Sequence, residues 1–171
     1  GLITRGLDIK KVKLVTIDGA KGPIASVSNL LGPEKLQRCV VHKTRNIIEK
    51  TPIVLRDELK GKLNRLWNQP SLIDAQKFIL EIENEYSKKA PKAISCLMED
   101  KETLLQFYRF PESHRKTIRN TNLIERVIHE TRRRTKVIDV IDNEYTCYKI
   151  LMGVIREQNI RWRQKVTGEI K

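Results

Sequence analysis

Disulfides do not hold this chain together. Its three cysteines, Cys39, Cys96 and Cys147, are odd in number and widely spaced, which argues against a disulfide framework and fits a reducing compartment. Glycine is sparse at eight residues, few of them clustered, so there is no loop of the kind that cradles a nucleotide phosphate. A nucleophile elbow is missing, and so is a histidine pair with a helical glutamate between them. No hydrophobic run approaches the roughly 18 residues of a membrane span, and the N-terminus has no signal-peptide core. The expectation is a soluble protein of the cytoplasm. What remains is a chain of 171 residues, 39% hydrophobic and 32% charged, enough for one domain with a lean core.

The charge has one dominant sign. Net charge is +13, and the excess is unevenly placed. Residues 1–53 carry 10 Lys/Arg against 4 Asp/Glu, and residues 111–136 carry 8 against 3. The stretch between them, 54–110, is nearly balanced at 10 against 9. Two basic segments flanking a neutral block suggest a composite surface facing a polyanion. No helix pairs a strongly basic face with a Trp/Phe/Leu face, so a membrane partner is not expected.

Val12-Lys13-Leu14-Val15-Thr16-Ile17 is short and β-rich, and reads as a strand buried on both faces. It stops at Asp18-Gly19. A helix from Gly22-Pro23 to about Leu31, closed by Gly32-Pro33, leads to a second buried strand, Leu36–Val41, ending at His42. Strand, helix, strand over this distance implies parallel pairing through a right-handed crossover. From Lys43 to Phe110 the pattern is helical: Leu55, Leu59, Leu63, Leu66 and Trp67 recur at helix spacing, as do Ala75, Phe78, Ile79, Ile82 and Tyr86. A last helix, Asn143 to Lys165, would turn Tyr148, Leu151, Ile155 and Trp162 inward. Two buried strands do not make a stable sheet alone. The chain therefore reads as the C-terminal part of a larger domain, with an unpaired strand edge that favours self-association.

Several residues could carry chemistry. Asp18 lies just past the end of a buried parallel strand, where open α/β sheets bind ligands; an Asp-Gly turn explains it equally simply. Glu125, His129 and Arg132 share one helix face, at about 0°, 40° and −20°. With Asn122 as N-cap, Glu125 would occupy the reciprocal position of a capping box. Cys39-x-x-His42 is half of a zinc spacing, but no second pair accompanies it. His114 and His129 are expected at the surface, and Cys96 and Cys147 in core gaps.

In order along the chain stand Asp18-Gly19, then Gln37-Arg38-Cys39-x-Val41-His42, a helical insertion, Thr121-Asn122-Leu-Ile-Glu125-Arg126 and Arg132-Arg133-Arg134. Together they resemble the catalytic domain of Mutator-type transposases, in particular the bacterial and archaeal insertion-sequence branch. The resemblance runs from Arg5 to about Trp162. It implies an α/β, RNase H-like fold, incomplete here because only two parallel strands are retained, and predominantly helical overall. Residues 1–42 and 111–171 would form the partial catalytic core, and 43–110 a helical insertion. It also implies three acidic metal ligands, with Asp18 as the second Asp and Glu125 as the Glu; the first Asp has no counterpart in this chain. Cys39 and His42 match the family's Cys/Asp-x-x-His motif, whose His lies near the scissile DNA. Arg132 matches the basic residue two turns after the Glu, and Arg119, Arg126, Arg133, Arg134 and Lys136 would join it on DNA phosphates. The implied cofactor is Mg²⁺, with Mn²⁺ an alternative, and the implied partner is DNA at element ends and target, in a prokaryotic nucleoid. The expected function is DNA cleavage and strand transfer by the intact enzyme, with this truncated chain inactive. A basic, non-enzymatic nucleic-acid-binding module and a helical protein-interaction scaffold remain open alternatives.

Overall fold

The computed structural model describes residues 3–136 and 143–165. By packing, the chain divides into two compact units, Gly1–Thr121 and Asn122–Lys171.

The first unit opens with a two-stranded sheet. Strands β1 (Val15–Ile17) and β2 (Leu36–Arg38) pair in parallel, with Val15 opposite Leu36 and Ile17 opposite Arg38. Helix α1 (Lys21–Leu31) makes the crossover and ends at Gly32, whose φ of 89° is glycine territory. Both strands are shorter than the β-rich runs suggest. A one-turn helix at Ile9–Lys11 is capped by the Asp8 carboxylate, and Val12 closes it, so the strand starts three residues later. Nor is β1 buried on both faces: Val15 and Thr16 are half-exposed and only Ile17 is buried.

The second strand is corrected more substantially. Val40, Val41 and His42 are helical, not extended. The ladder ends when the Cys39 N–H donates to Ile17 O at 2.8 Å, and Cys39 O then accepts from Lys43 N at 3.0 Å. Val40 N donates to Arg119 O at 3.0 Å instead of to a strand. Tertiary hydrogen bonds thus override the β preference of a Val-Val pair, and helix α2 (Val40–Glu49) begins where the strand was expected to continue.

Helices α3 (Arg56–Leu66), α4 (Leu72–Tyr86), α5 (Pro91–Glu99), α6 (Lys101–Leu104) and α7 (Glu112–Ile118) complete the unit. Their apolar stripes meet as the spacing predicts. Leu59, Leu63, Leu66, Ile79, Ile82, Tyr86, Leu97 and Phe107 are essentially sealed from solvent, while Leu55 and Phe78 sit at the margin. Starts are chemically marked: Ser71 Oγ accepts from Asp74 N at 3.1 Å at the head of α4, and Pro91 opens α5. Gln37 fastens β2 to this helical block. Fully buried, it donates through Nε2 to Leu104 O at 3.0 Å and accepts from Phe107 N at 2.8 Å.

The second unit contains α8 (Asn122–Thr135) and α9 (Glu144–Lys165), packed on each other. Asn122 is the first residue of α8 and Glu125 lies in its first turn. In α9 the inward residues are Val154 and Gln158, not Tyr148, Leu151 or Ile155, which are all exposed; Trp162 is half-buried. The helix carries apolar residues on two sides, so periodicity does not single out one of them. Cys96 is buried as expected and Cys147 half-buried. His129 is exposed; His114 is half-buried, with both ring nitrogens covered and no hydrogen-bond partner for them among the described residues.

Candidate active site

The parallel pairing of β1 and β2 delivers the sequence motifs of the first unit to one place. Asp18 is the first residue beyond β1. Exposed to solvent, it closes a local turn in which its Oδ1 accepts from Ala20 N at 3.3 Å. Gly19 follows at φ 121°, a conformation that side chains rarely adopt. Cys39, one residue beyond β2, is tied to Ile17 by the last ladder bond, so the two motif starts lie side by side at the carboxyl ends of the strands, where open sheets bind ligands.

The Cys-x-x-His spacing acquires its geometry from α2. Residues three apart on a helix face the same way, and His42 Nδ1 lies 3.3 Å from Cys39 Sγ. Thr121 completes a triangle, its hydroxyl 3.4 Å from the sulfur and 3.4 Å from Nδ1. Cys39 is only 1% exposed. This is a packed polar contact, and among the described residues no group of three or more His, Cys, Asp or Glu is arranged to hold a metal ion. The segment that carries Thr121 is tied to β1 and to the first residue of α2. Thr16 Oγ1 donates to Ile118 O at 2.5 Å, and Arg119 O receives the Val40 N–H.

Beneath the strand ends lies a cluster of buried charge. Arg38 and Lys43, 5% and 2% exposed, converge on Asp100. Arg38 Nε is 3.1 Å and Lys43 Nζ 2.5 Å from its Oδ2, and Glu99 stands 3.5 Å from Lys43 on the solvent side. Burial pushes the Asp100 carboxyl up, but the hydrogen bonds and charges of Lys43 and Arg38 outweigh it and hold the group below its ordinary range. Nothing in the residue pattern announced this cluster. Arg38 stands beside the Cys-x-x-His motif, yet one charged letter does not tell whether it is buried.

The cations expected on DNA fall into two sets. Arg119 is committed to the fold: it donates to Trp67 O and to Asn68 Oδ1, with its guanidinium over the Phe107 ring. Arg133 grips both carboxylate oxygens of Glu130, at 2.9 and 2.8 Å. Arg134 bridges Glu130 and Glu157. Those hydrogen bonds from Arg133 and Arg134 hold the Glu130 carboxyl down to about 2. Arg126, Arg132 and Lys136 are exposed and form no salt bridge with the described residues. Glu125 and His129 are exposed as well, on α8 with Arg126 and Arg132, and Lys136 follows the helix's last residue.

Comparison with known proteins draws these pieces together. The family model described as "Transposase, Mutator family" matches residues 2–165. Among curated relatives, the transposase for insertion sequence element ISRM5 of Rhizobium meliloti (strain 1021) is 29% identical over 160 residues, covering 94% of this chain and 40% of the relative. The transposase for IST2 of Acidithiobacillus ferrooxidans is 36% identical over 134 residues, 78% of this chain and 45% of the relative. The transposase for IS256 in transposon Tn4001 of Staphylococcus aureus is 26% identical over 160 residues, 92% of this chain and 40% of the relative. The chain thus spans less than half the length of the curated relatives it matches.

Proposed function

The chain belongs to the Mutator family of transposases, and we propose that it supplies the second and third acidic positions of an RNase H-like nuclease site that cuts and joins DNA at the ends of an insertion sequence. Asp18 and Glu125 are the two carboxylates. Hard oxygen donors of this kind suit Mg²⁺, so the donor set is right in kind. It is short in number: Asp18 and Glu125 are two of the three acids that the resemblance implies, and among the described residues no three such groups are gathered to hold a metal ion. A bound pair of divalent ions would activate the attacking oxygen and stabilise the leaving 3′-oxygen. Cys39 and His42 stand at the strand end next to that of Asp18, where Thr121 contacts both. Arg126, Arg132 and Lys136 contribute phosphate contacts, which give salt-dependent binding largely blind to sequence. Residues 43–110 act as the helical insertion of the catalytic core.

The observation that carries this reading is the meeting of Asp18 and the Cys39-x-x-His42 motif at the ends of adjacent parallel strands. In a protein of the relatives' length that contains these residues, Asp18→Asn and Glu125→Gln each lower element excision by at least about 100-fold, the upper end of what even outer partners of a metal site contribute. Protein level stays unchanged. Residues 1–171 alone show no Mg²⁺-dependent nicking of a supercoiled plasmid. Excision at the wild-type rate in either variant would sink the assignment, and robust nicking by the isolated chain would sink the claim that it lacks a ligand.

A further inference from the structure

We infer that Arg38 is the positioning residue for Asp18. The inference rests on the reading of Asp18 as a metal-site carboxylate, and it starts from a side chain that core packing alone does not explain. Arginine is rarely buried unless paired, and Arg38 shares its acid. Asp100 already has Lys43 at 2.5 Å, closer than Arg38 at 3.1 Å. Two sequestered cations therefore face one partly buried carboxylate. Arg38 Nη1 is buried with no hydrogen-bond partner among the described residues. An apolar side chain at position 38 would leave the Lys43–Asp100 pair intact and avoid the desolvation of a guanidinium.

What the guanidinium does instead is visible at Gly19. A Cβ built there would collide with Nη1, Nη2 and Cζ of Arg38, so the planar group fills the space left by the missing side chain. Gly19 is the residue after Asp18, at φ 121°. The turn that presents Asp18 is thus shaped from within by the Asp18 Oδ1 bond to Ala20 N and backed from beneath by the Arg38 plane, which Asp100 fixes through Nε. Catalytic groups must be held to within about 0.5 Å by neighbours whose own rotamers are locked. Arg38 is the neighbour with that property here. Lysine would not substitute, because a point charge on a flexible stem lacks the flat face that covers Gly19.

The test uses two readouts, one of which needs no activity. In residues 1–171, Arg38→Met makes amide hydrogen exchange at Gly19 and Ala20 about 10-fold faster or more, while Leu59, Leu63 and Ile79 keep their protection. In a protein of the relatives' length that contains these residues, the same variant raises the Mg²⁺ concentration for half-maximal cleavage by about 10-fold or more, in the range seen when outer partners of a metal site are removed. Arg38→Lys changes both readouts in the same direction, and it carries the exchange measurement if Arg38→Met does not fold. Unchanged exchange at Gly19 and Ala20, or equal loosening of the whole first unit, would overturn the positioning role. A wild-type Mg²⁺ requirement alongside a loosened turn would overturn its link to the metal. Asp18→Asn serves as the reference: full activity in that variant refutes the proposed function itself, while the exchange result still decides what Arg38 does to the turn.

Discussion

The two units of this chain use opposite means of cohesion. In Gly1–Thr121, apolar side chains at helix spacing disappear into one core, and several polar groups buried with them tie elements together: Gln37 to Leu104 and Phe107, Lys43 to Asp100, Thr51 Oγ1 to Ile47 O at 2.8 Å. In Asn122–Lys171, the buried residues among those described are Val127, Val154 and Gln158. The fastening is a chain of ion pairs at the surface, Arg133–Glu130–Arg134–Glu157–Arg161. Ile124, Ile128, Tyr145, Tyr148, Leu151, Met152, Ile155 and Ile160 stay exposed. The lesson is that an apolar period is a reliable guide to burial only where several elements converge to be buried against. A pair of helices has few such directions, so half of its apolar residues face outward.

The comparison is broken most forcefully from the core side. Leu63→Ala empties a site with no solvent exposure and should destabilise the chain by about 2.7–5 kcal/mol in urea or thermal unfolding. A change below about 1 kcal/mol would mean that the first unit is not close-packed as described.

Acid probes the buried charge that accompanies that core. The Asp100 carboxyl sits lower in the folded chain than in the unfolded one. Its stabilising contribution is therefore complete above the unfolded value of about 3.9 and is lost as pH falls through the folded value below that. Unfolding midpoints should hold steady from neutral pH down to about 4 and then drop, and Asp100→Asn should flatten that drop. An acid limb identical in the variant would assign it to other carboxylates.

The mildest perturbation belongs to the second unit. Glu130→Gln removes the shared acid of Arg133 and Arg134, both on the exposed side of the network. Surface ion pairs contribute little and are screened by salt. The expected result is an unchanged main unfolding transition, faster amide exchange confined to α8 and α9 at low ionic strength, and convergence with the wild type in high salt. A loss of protection that reached α3 or α5 would show that the two units do not differ as argued.

Much of this was legible in the residue order, and the exceptions have physical causes. The crossover, the parallel pairing and the stripes Leu59-Leu63-Leu66 and Ala75-Ile79-Ile82-Tyr86 follow from period and punctuation, because local geometry and burial agree there. The strand–helix junction was misplaced because Val40-Val41 prefers extended backbone, and the bond that decides otherwise comes from Arg119, which is 79 residues away from Val40. The triangle of Cys39, His42 and Thr121 could be half anticipated: i and i+3 spacing is local, whereas the third corner is not. Arg38 stands inside a sequence motif that attaches no role to it. Its role is defined by an empty Cβ position at Gly19 and a carboxylate at Asp100, neither of which is visible from position 38.

That empty Cβ position has a practical meaning for anyone diversifying this protein. Gly19 is favoured by its backbone angle, and a side chain there would also have to displace the guanidinium that fills its side-chain space. Libraries that vary position 19 alone, or position 38 alone, sample only half of a lock. The two sites form a single mutational unit, to be randomised together with Asp18 held constant. Alternatives to the glycine–arginine pairing must first supply a residue that tolerates the left-handed backbone, and only then a smaller partner to replace the arginine.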